Sequence, residues 1–334
     1  MMGELAFVFD PALPGLAAAL DAGVMTPKLA ELLRVHCQAA PYRVIGVELL
    51  KHKPGRRCSL AYAIEGPTGR ERVFAKTFKN DRGASVLETM ELVSRAASGS
   101  PLIVPRPLGY LAELKMLVTT FIDGKPLARE MYDGSHEAAR RMATALAALH
   151  RLPVACSGRW DADDELRNTL RWVDGPGFSN GSVRAGLRRQ VRFLQHWVRS
   201  VGVSEAHPVH RDFYPEQLLD TGRSVALIDL DDTRMGDPAV DVGNFLAHLT
   251  LRSLQFPHTT RACREARRVF LTAYEARGGW PVDRRRDRRV RFYETASLVR
   301  LAGVYNRRER WARLLPPRLL EASDAVINDG RLDP

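Results

Sequence analysis

The chain has 334 residues, a formal net charge of +11 and a hydrophobic fraction of 45%. This length is sufficient for one large or two medium domains with a substantial core, and the composition argues against a disordered or repetitive protein. No apolar stretch approaches the roughly 20 residues that span a bilayer, and residues 1–10 lack the basic and apolar regions of a secretory signal, so we expect neither a membrane-spanning nor an exported protein.

Residues 1–40 are predicted to form a helical extension. Asp10 precedes Pro11 and Thr26 precedes Pro27, which is the pattern of an N-cap followed by proline at the first helical position. An apolar stretch with helical spacing follows each pair. We therefore predict that a short helix begins at each of them.

Residues 41–122 are predicted to form a small, mainly antiparallel sheet with one helix. Turn residues at 53–55 and 66–69 separate three segments with strand-like composition. The predicted strands are 44–51, 59–65, 71–78, 108–112 and 116–121, and the predicted helix is 83–97.

Residues 123–334 are predicted to be mainly helical, after a break at residues 123–126. The segment 136–150 has apolar residues on one helical face, and residues 183–198 have a similar character. Two short apolar runs, at 208–209 and 225–229, predict a hairpin within this region. The sequence therefore indicates an α+β fold of two lobes, with a small sheet-containing lobe and a larger helical lobe.

The positive charge and the cysteines suggest no special class of protein. Arginine is concentrated after residue 261, in runs such as REARR and DRRRDRRVR. Apolar residues interrupt these runs at helical spacing, so we interpret them as solvated helix faces and expect no nucleic-acid partner. The cysteines have neither metal-ligand nor redox spacing, so we expect reduced thiols in a cytoplasmic protein. They are Cys37, Cys58, Cys156 and Cys263.

The segment from His210 to Asp232 contains the residues most indicative of chemistry. Asp212 is in a loop, Gln217 follows five residues later, and Asp229 ends an apolar strand. Phosphoryl transfer requires a carboxylate near the acceptor hydroxyl and oxygen ligands that hold Mg²⁺ against the phosphates. The ordered set of three predicts such a site more strongly than any one of these residues would.

The segment HRDFYPEQLL, followed by ALIDLDDTRMGDPAVDVGNFLAHL, resembles the catalytic core of the aminoglycoside phosphotransferase/choline kinase-like superfamily. KPGRRC in the first turn, Lys76 in the third strand and LAALH near His150 extend the resemblance over residues 42–250. It implies a protein-kinase-like fold and ATP-dependent phosphorylation of a small molecule, with ATP and Mg²⁺ as cofactors. A sugar or amino sugar is favoured as acceptor, and an aminoglycoside, a choline-type acceptor or a non-catalytic pseudokinase are the alternatives.

The same resemblance implies roles for individual residues. Asp212 would be the catalytic base, Gln217 and Asp229 would bind the metal, and Lys76 would hold the α- and β-phosphates. Either Glu88 or Glu91 would pair with Lys76, and we choose Glu91 because it lies nearer the apolar face of its helix. Gln217 stands where the family usually has Asn, as in maltokinase-like members, and Arg211 stands where Gly is more frequent.

The remaining nucleotide contacts are expected from the first lobe. The turn at residues 53–57, with Arg57, either covers the triphosphate with basic side chains or is an ordinary hairpin turn. Adenine would lie against residues 119–122, with Thr120 and Ile122 as its contacts.

Several other polar residues have structural interpretations. Asp241 is expected to accept backbone hydrogen bonds from the catalytic loop, which is the loop that contains Asp212 and Gln217. His210 is expected to brace that loop, and His150 to be a packed or capping side chain. The acidic cluster at 160–165 either contacts a cationic acceptor, with Trp160 stacking on a sugar, or is a loop or helix start.

Overall fold

The structure is a computed structural model that describes residues 9–36, 42–67, 69–173, 181–202, 204–278 and 284–328. Its contacts divide the chain into two units. Met1–Ser98 and Ile103–Asp123 form the first, and Gly99–Leu102 and Gly124–Pro334 form the second. The predicted α+β class is confirmed, because an antiparallel sheet lies in the N-terminal part and helices predominate after it.

A five-stranded antiparallel sheet in the order β1-β2-β3-β6-β5 forms the centre of the first unit. All five predicted strands and the predicted helix occur at the expected places, with ends that differ by a few residues. The elements up to the unit boundary are α1 (Leu16–Leu20), α2 (Ala22–His36), β1 (Arg43–Lys53), β2 (Arg57–Gly66), β3 (Gly69–Phe78), α3 (Arg82–Ala97), β4 (Leu102–Ile103), β5 (Pro107–Leu111) and β6 (Met116–Thr120).

The N-terminal helices share one apolar core with this sheet. Leu16 and Met25 from the helices pack in the same buried cluster as Leu60, Tyr62 and Met116 from the strands. The Tyr62 hydroxyl also donates a hydrogen bond of 2.6 Å to the Ala19 carbonyl. Burial of each large apolar side chain contributes about 1.5–3 kcal/mol, so the helices stabilise the sheet substantially.

The second helix begins earlier than predicted. Asp21 Oδ1 accepts hydrogen bonds from the Gly23 and Val24 amides at 2.7 and 3.1 Å, so the capping carboxylate stands before Ala22. The prediction of a helix start at Thr26 was wrong because this cap lies upstream of it. Pro27 is accommodated inside the helix, and the Thr26 hydroxyl instead donates to the Ala22 carbonyl and accepts from the Val44 amide.

Asp10 is not a helix cap either, because α1 begins at Leu16. Its Oδ1 accepts from the Ala12 amide at 3.0 Å, and its Oδ2 accepts from the Gly55 amide at 2.8 Å. The same Oδ2 lies 2.8 Å from His52 Nε2. The Gly55 amide and then His52 hold the pKa of the Asp10 carboxyl below its ordinary value. The carboxylate therefore connects the N-terminal extension to the turn between β1 and β2.

The second unit consists mainly of packed helices with two small sheets. Strand β10 pairs antiparallel with β7 and β11, while β12 pairs parallel with β8 and antiparallel with β9. Its elements are β7 (Lys125–Pro126), α4 (Leu127–Tyr132), α5 (His136–His150), β8 (Arg159–Trp160), α6 (Ala162–Val173), α7 (Gly181–Val201), β9 (His207–Val209), β10 (Leu218–Asp220), β11 (Val225–Leu227), β12 (Arg234–Gly236), α8 (Ala239–Gln255), α9 (Thr260–Gly278), α10 (Arg284–Asn306) and α11 (Leu315–Asn328).

The helices of this unit follow the sequence signals closely. Helix α5 has the predicted bounds, because the Ser135 hydroxyl caps it by accepting from the Ala138 amide at 3.2 Å. In the arginine-rich region, Arg267 forms two hydrogen bonds to the buried Glu294 at 2.6 and 2.8 Å. Within the described residues, no helix is both long and apolar enough to cross a bilayer.

Helices α8 and α10 approach each other at Gly243, and this contact generates a stability prediction. A Cβ at Gly243 would lie 2.6 Å from the Glu294 backbone nitrogen and 2.8 Å from the Tyr293 carbonyl carbon. We expect Gly243→Ala to lower the free energy of unfolding by about 1–3 kcal/mol, since overpacking outweighs the roughly 1 kcal/mol gained in helix propensity. Urea unfolding followed by tryptophan fluorescence tests this, because all 5 tryptophans lie after residue 159.

Gly181→Ala provides the matched control, because a Cβ at Gly181 meets nothing within 4 Å. We expect this substitution, at the first residue of α7, to leave the unfolding midpoint almost unchanged. Equal midpoints for Gly243→Ala and Gly181→Ala would contradict the close approach of the two helices.

Candidate active site

A buried carboxylate holds the loop that contains Asp212. Asp241, on α8, is fully buried; its Oδ2 accepts from the His210 amide at 2.7 Å and its Oδ1 accepts from the Arg211 amide at 2.6 Å. The predicted role of Asp241 is thereby confirmed. Both oxygens are directed at the two residues before Asp212, so the backbone there is fixed by charge-assisted hydrogen bonds.

A second layer of side chains supports this carboxylate. His150, at the end of α5, lies 3.0 Å from Asp241 Oδ2 through Nε2 and 2.6 Å from the Tyr274 hydroxyl through Nδ1. His210 Nε2 lies 2.9 Å from the Ile228 carbonyl. His150 and His210 are both buried, so His150 is packed as predicted, and the contact of His210 with the Ile228 carbonyl agrees with its predicted bracing of the loop. The loop is thus connected to three helices through hydrogen bonds.

Arg211 has a left-handed backbone conformation, with a φ of 69°. This conformation costs a residue with a Cβ roughly 1–2 kcal/mol, whereas glycine adopts it freely. The strain is offset by contacts of the side chain. Its guanidinium carbon lies 3.2 Å from the centroid of the Trp160 ring, and its Nη1 donates to the Asp232 carbonyl at 3.2 Å.

Asp212 itself is half-buried and lies among several charges. Burial is the main cause that raises the pKa of its carboxyl above the ordinary value, and the negative charges of Asp229 and Asp232 raise it further. Arg300 and His210 act in the opposite direction. A carboxylate with a raised pKa is a stronger proton acceptor than an ordinary surface aspartate.

Arg300 is held in place beside the loop by its own hydrogen bonds. Its Nη2 donates to Asn244 Oδ1 at 2.6 Å, and Asn244 Nδ2 donates to the Phe213 carbonyl at 3.0 Å. The sequence analysis missed this arginine. Arg300 lies 56 residues from Asn244 and no motif connects them, so only the packing of α10 on α8 brings them together.

Gln217 and Asp229 are brought together as predicted. Gln217 is buried at the end of a 3₁₀ turn, and its Nε2 lies 3.5 Å from Asp229 Oδ2. The Ile228 amide donates to the Gln217 carbonyl at 3.0 Å, which fixes the two segments. Their amide and carboxylate oxygens are the donors that Mg²⁺ prefers, with the Gln217 oxygen available by rotation of the amide.

This donor set fits a magnesium ion that is held mainly by phosphates. In the described part of the chain, no group of three or more His, Cys, Asp or Glu side chains is arranged to hold a metal ion. Nucleotide-bound Mg²⁺ needs only one or two protein ligands, because phosphate and water oxygens complete its octahedron. Gln217 and Asp229 therefore suit Mg²⁺ that arrives with a nucleotide.

In the first unit, the strand register places basic side chains on one face of the sheet. Lys51 pairs with Ser59, and Ser59 pairs with Lys76; Lys53 pairs with Arg57 two residues further along the same strands. Directly opposed residues share a face, and so do residues two apart. Lys51, Lys53, Arg57 and the buried Lys76 therefore form a cationic face.

The N-terminal helices cover the opposite face of this sheet, where Tyr62 and Ala75 lie. Thr120 pairs with Val73 and so shares this covered face, whereas Thr119 pairs with Phe74 on the face of Lys76. The Thr120 hydroxyl accepts from the Arg106 amide at 2.9 Å. A side-chain contact from this strand to a ligand on the cationic face would thus come from Thr119, and the role of Thr120 stays a prediction.

The two candidate glutamates for Lys76 lie on the same helix of the first unit. Glu88 and Glu91 are both exposed on α3, and neither forms an ion pair among the described side chains. The Lys76 Nζ lies 5.9 Å from the Phe74 ring centroid. The choice of Glu91 over Glu88 stays a prediction, as does the role of Ile122, which is half-buried after β6.

The acidic cluster at 160–165 is mainly a helix start. The Asp161 amide donates to Asp164 and the Asp164 amide donates to Asp161, at 3.2 and 2.8 Å, which is a reciprocal capping arrangement. Trp160 Nε1 donates to the buried Glu165 at 3.1 Å. The Trp160 ring contacts the guanidinium of Arg211 in the catalytic loop. The two residues are distant in the sequence, so the sequence analysis did not predict this contact.

Comparisons with solved structures show a shared kinase-like fold. The choline kinase of Cryptosporidium parvum matches with a TM-score of 0.64 and 13% identity, over 86% of this chain and 91% of that one. The choline kinase LicA of Streptococcus pneumoniae matches with a TM-score of 0.58 and 14% identity, over 91% of this chain and 99% of that one. A thermostable mutant of the aminoglycoside phosphotransferase APH(4)-Ia matches with a TM-score of 0.61 and 14% identity, over 91% of this chain and 99% of that one.

A search of curated proteins found no match. The model of the phosphotransferase enzyme family, APH, matches residues 59–293. This match takes in Lys76, the catalytic loop and the Gln217–Asp229 pair. Because it covers more than half of the 334 residues, the chain belongs to the phosphotransferase enzyme family.

Proposed function

We propose that the protein transfers the γ-phosphate of ATP to a hydroxyl group of a small molecule, with a neutral sugar as the favoured acceptor. The main support for the proposal is the hydrogen-bond geometry of the catalytic loop. Asp241 fixes the backbone before Asp212 with both carboxylate oxygens, and Gln217 of the same loop lies 3.5 Å from Asp229. A base and a metal-ligand oxygen on one fixed loop, with a second ligand oxygen on the neighbouring segment, are the parts that phosphoryl transfer requires.

In this mechanism the protein acts by positioning and by electrostatics. Asp212 accepts a hydrogen bond from the acceptor hydroxyl and takes its proton as the oxygen bonds to the γ-phosphorus, while the bond to the bridging oxygen of the β-phosphate breaks and ADP leaves. Lys76 and the basic side chains beside it bind the phosphate oxygens. Gln217 and Asp229 would hold Mg²⁺, which would supply positive charge against the phosphate oxygens.

The pairing of the carboxylates near the loop supports a neutral acceptor over a polycationic one. Glu165 accepts from Trp160 and lies 3.7 Å from Arg300, and Asp164 pairs with Arg167 at 2.6 Å. Asp232 lies 3.7 Å from Arg211. An aminoglycoside would have to displace these partners, whereas sugar hydroxyls can hydrogen bond without competing for charge. The maltokinase-like Gln217 agrees with a sugar acceptor.

The first functional prediction concerns the base. Asp212→Asn should lower acceptor-stimulated ADP release at least about 100-fold, because the proton of the hydroxyl loses its acceptor. The assay uses MgATP with a panel of sugars, amino sugars, aminoglycosides and choline. Asp163→Asn is the matched control, since Asp163 is exposed in the acidic cluster, and it should retain wild-type turnover with a neutral sugar.

The panel also decides between the alternatives. If Asp163→Asn lost turnover with a cationic acceptor, the acidic cluster would bind that acceptor and an amino sugar would replace the neutral one. Tight binding of MgATP without turnover on any acceptor would favour a pseudokinase. Full activity of Asp212→Asn would overturn the proposed mechanism.

The second prediction concerns pH. Burial raises the pKa of Asp212, and the base acts only when ionised, so activity should be lost as the pH falls through that raised pKa. We expect kcat/KM for the acceptor to decrease at acid pH, with a midpoint above the ordinary aspartate pKa of about 3.9. Circular dichroism over the same range separates this decrease from unfolding. If kcat/KM stayed constant down to the pH at which the protein unfolds, the prediction would be contradicted.

The third prediction concerns the metal. Gln217→Leu keeps the approximate volume of the side chain but removes its oxygen, so the Mg²⁺ concentration for half-maximal activity should rise about tenfold. Gln217→Asn retains an amide oxygen and should lie between wild type and Gln217→Leu. An unchanged Mg²⁺ requirement in both variants would exclude Gln217 as a ligand.

A further inference from the structure

We infer that Asp10, in the N-terminal extension, is a positioning residue that holds the turn at residues 53–57 so that its basic side chains can bind the ATP phosphates. The inference rests on the proposed function, because it assigns a nucleotide to the cationic face of the sheet. It adds a residue that neither the family match, which begins at residue 59, nor the catalytic loop contains.

The turn itself is tight and has a defined geometry. The Arg56 amide donates to the Lys53 carbonyl at 3.1 Å, and Gly55 has a φ of 68°. Proline at the second position and a left-handed glycine at the third are the pattern of a type II turn. A Cβ at Gly55 would meet nothing within 4 Å, so the glycine is required by its backbone conformation and not by crowding.

Asp10 fixes this turn by accepting a hydrogen bond from the Gly55 amide. In a type II turn, only the amide of the fourth residue bonds within the turn, so the Gly55 amide needs another acceptor. Asp10 Oδ2 supplies it at 2.8 Å and is at the same distance from His52 Nε2. Asp10 is 8% exposed, and its pKa is lowered, so an ionised carboxylate is buried against the hairpin.

The contact comes from the side of the sheet that a nucleotide would not occupy. His52 pairs with Cys58, which belongs to the core covered by the N-terminal helices, whereas Lys53 and Arg57 lie on the cationic face. Asp10 therefore braces the turn from behind. It does not occupy the face on which Lys53 and Arg57 lie.

Asp10 is also held firmly. Its Oδ1 accepts from the Ala12 amide, and the following residues Leu13 and Leu16 are 2% and 1% exposed in the shared core. The Gly55 amide is consequently occupied, unlike the free amides of a glycine-rich phosphate loop. The basic side chains of the turn would therefore bind the phosphates, and their conformational freedom is restricted when the backbone is fixed.

The experiment compares the binding of MgATP and adenosine by calorimetry. In Asp10→Asn and Asp10→Ala, the affinity for MgATP should fall about tenfold, the effect of losing a charge-assisted hydrogen bond, while adenosine binding stays unchanged. Thr26→Val is the matched control. It removes another contact of the extension with the sheet, the acceptor of the Val44 amide, without touching the turn, and should leave both affinities unchanged.

Hydrogen exchange supplies a second readout that does not depend on a nucleotide. The Gly55 amide should exchange slowly in the wild type and in Thr26→Val, and much faster in Asp10→Ala. If both Asp10 variants fail to fold, His52→Ala removes the other partner of the carboxylate and should weaken MgATP binding selectively, by a smaller factor.

Three outcomes would overturn the inference. Equal weakening of MgATP and adenosine would mean that Asp10 only supports the fold. Unchanged MgATP binding would mean that the turn does not need the carboxylate, and tighter binding would mean that the carboxylate competes with the phosphates. Failure of the wild type to bind MgATP would instead overturn the proposed function, and the role of Asp10 with it.

Discussion

The buried carboxylate of Asp241 is the interaction on which the candidate site depends. Its two oxygens accept the His210 and Arg211 amides, and its Oδ2 also contacts His150. A buried charge is costly unless every lone pair has a partner, so the carboxylate and its donors stabilise one another only as a complete set. The left-handed backbone of Arg211 persists because this set determines the conformation of the loop more strongly than its strain opposes it.

Charge is distributed differently in the two units. The sheet of the first unit places lysines and an arginine on one face, where phosphates would neutralise them. In the second unit, the arginines near the loop already have partners, such as Asn244 and Glu165 for Arg300. The net charge of +11 is therefore not one uniform field.

Sequence patterns predicted the elements that local chemistry determines. Helix α5 follows from one apolar face and the Ser135 cap, and the loop around Asp212 follows from residue types at short spacing. The errors arose where a distant residue decides. Thr26 resembles a cap, but Asp21 caps the helix first, and the stacking of Arg211 on Trp160 joins segments 51 residues apart. Such contacts have no signature in a single sequence.

The shared core of the N-terminal helices and the sheet has a consequence for how the chain can be divided. A fragment that began at the first strand would expose one side of Leu60, Tyr62 and Met116 to water, and it would lose the partner of the Gly55 amide. Large exposed apolar surfaces on a sheet promote aggregation. The smallest soluble piece that contains this sheet should therefore begin upstream of Asp10, and residues before the family match are part of the folding unit.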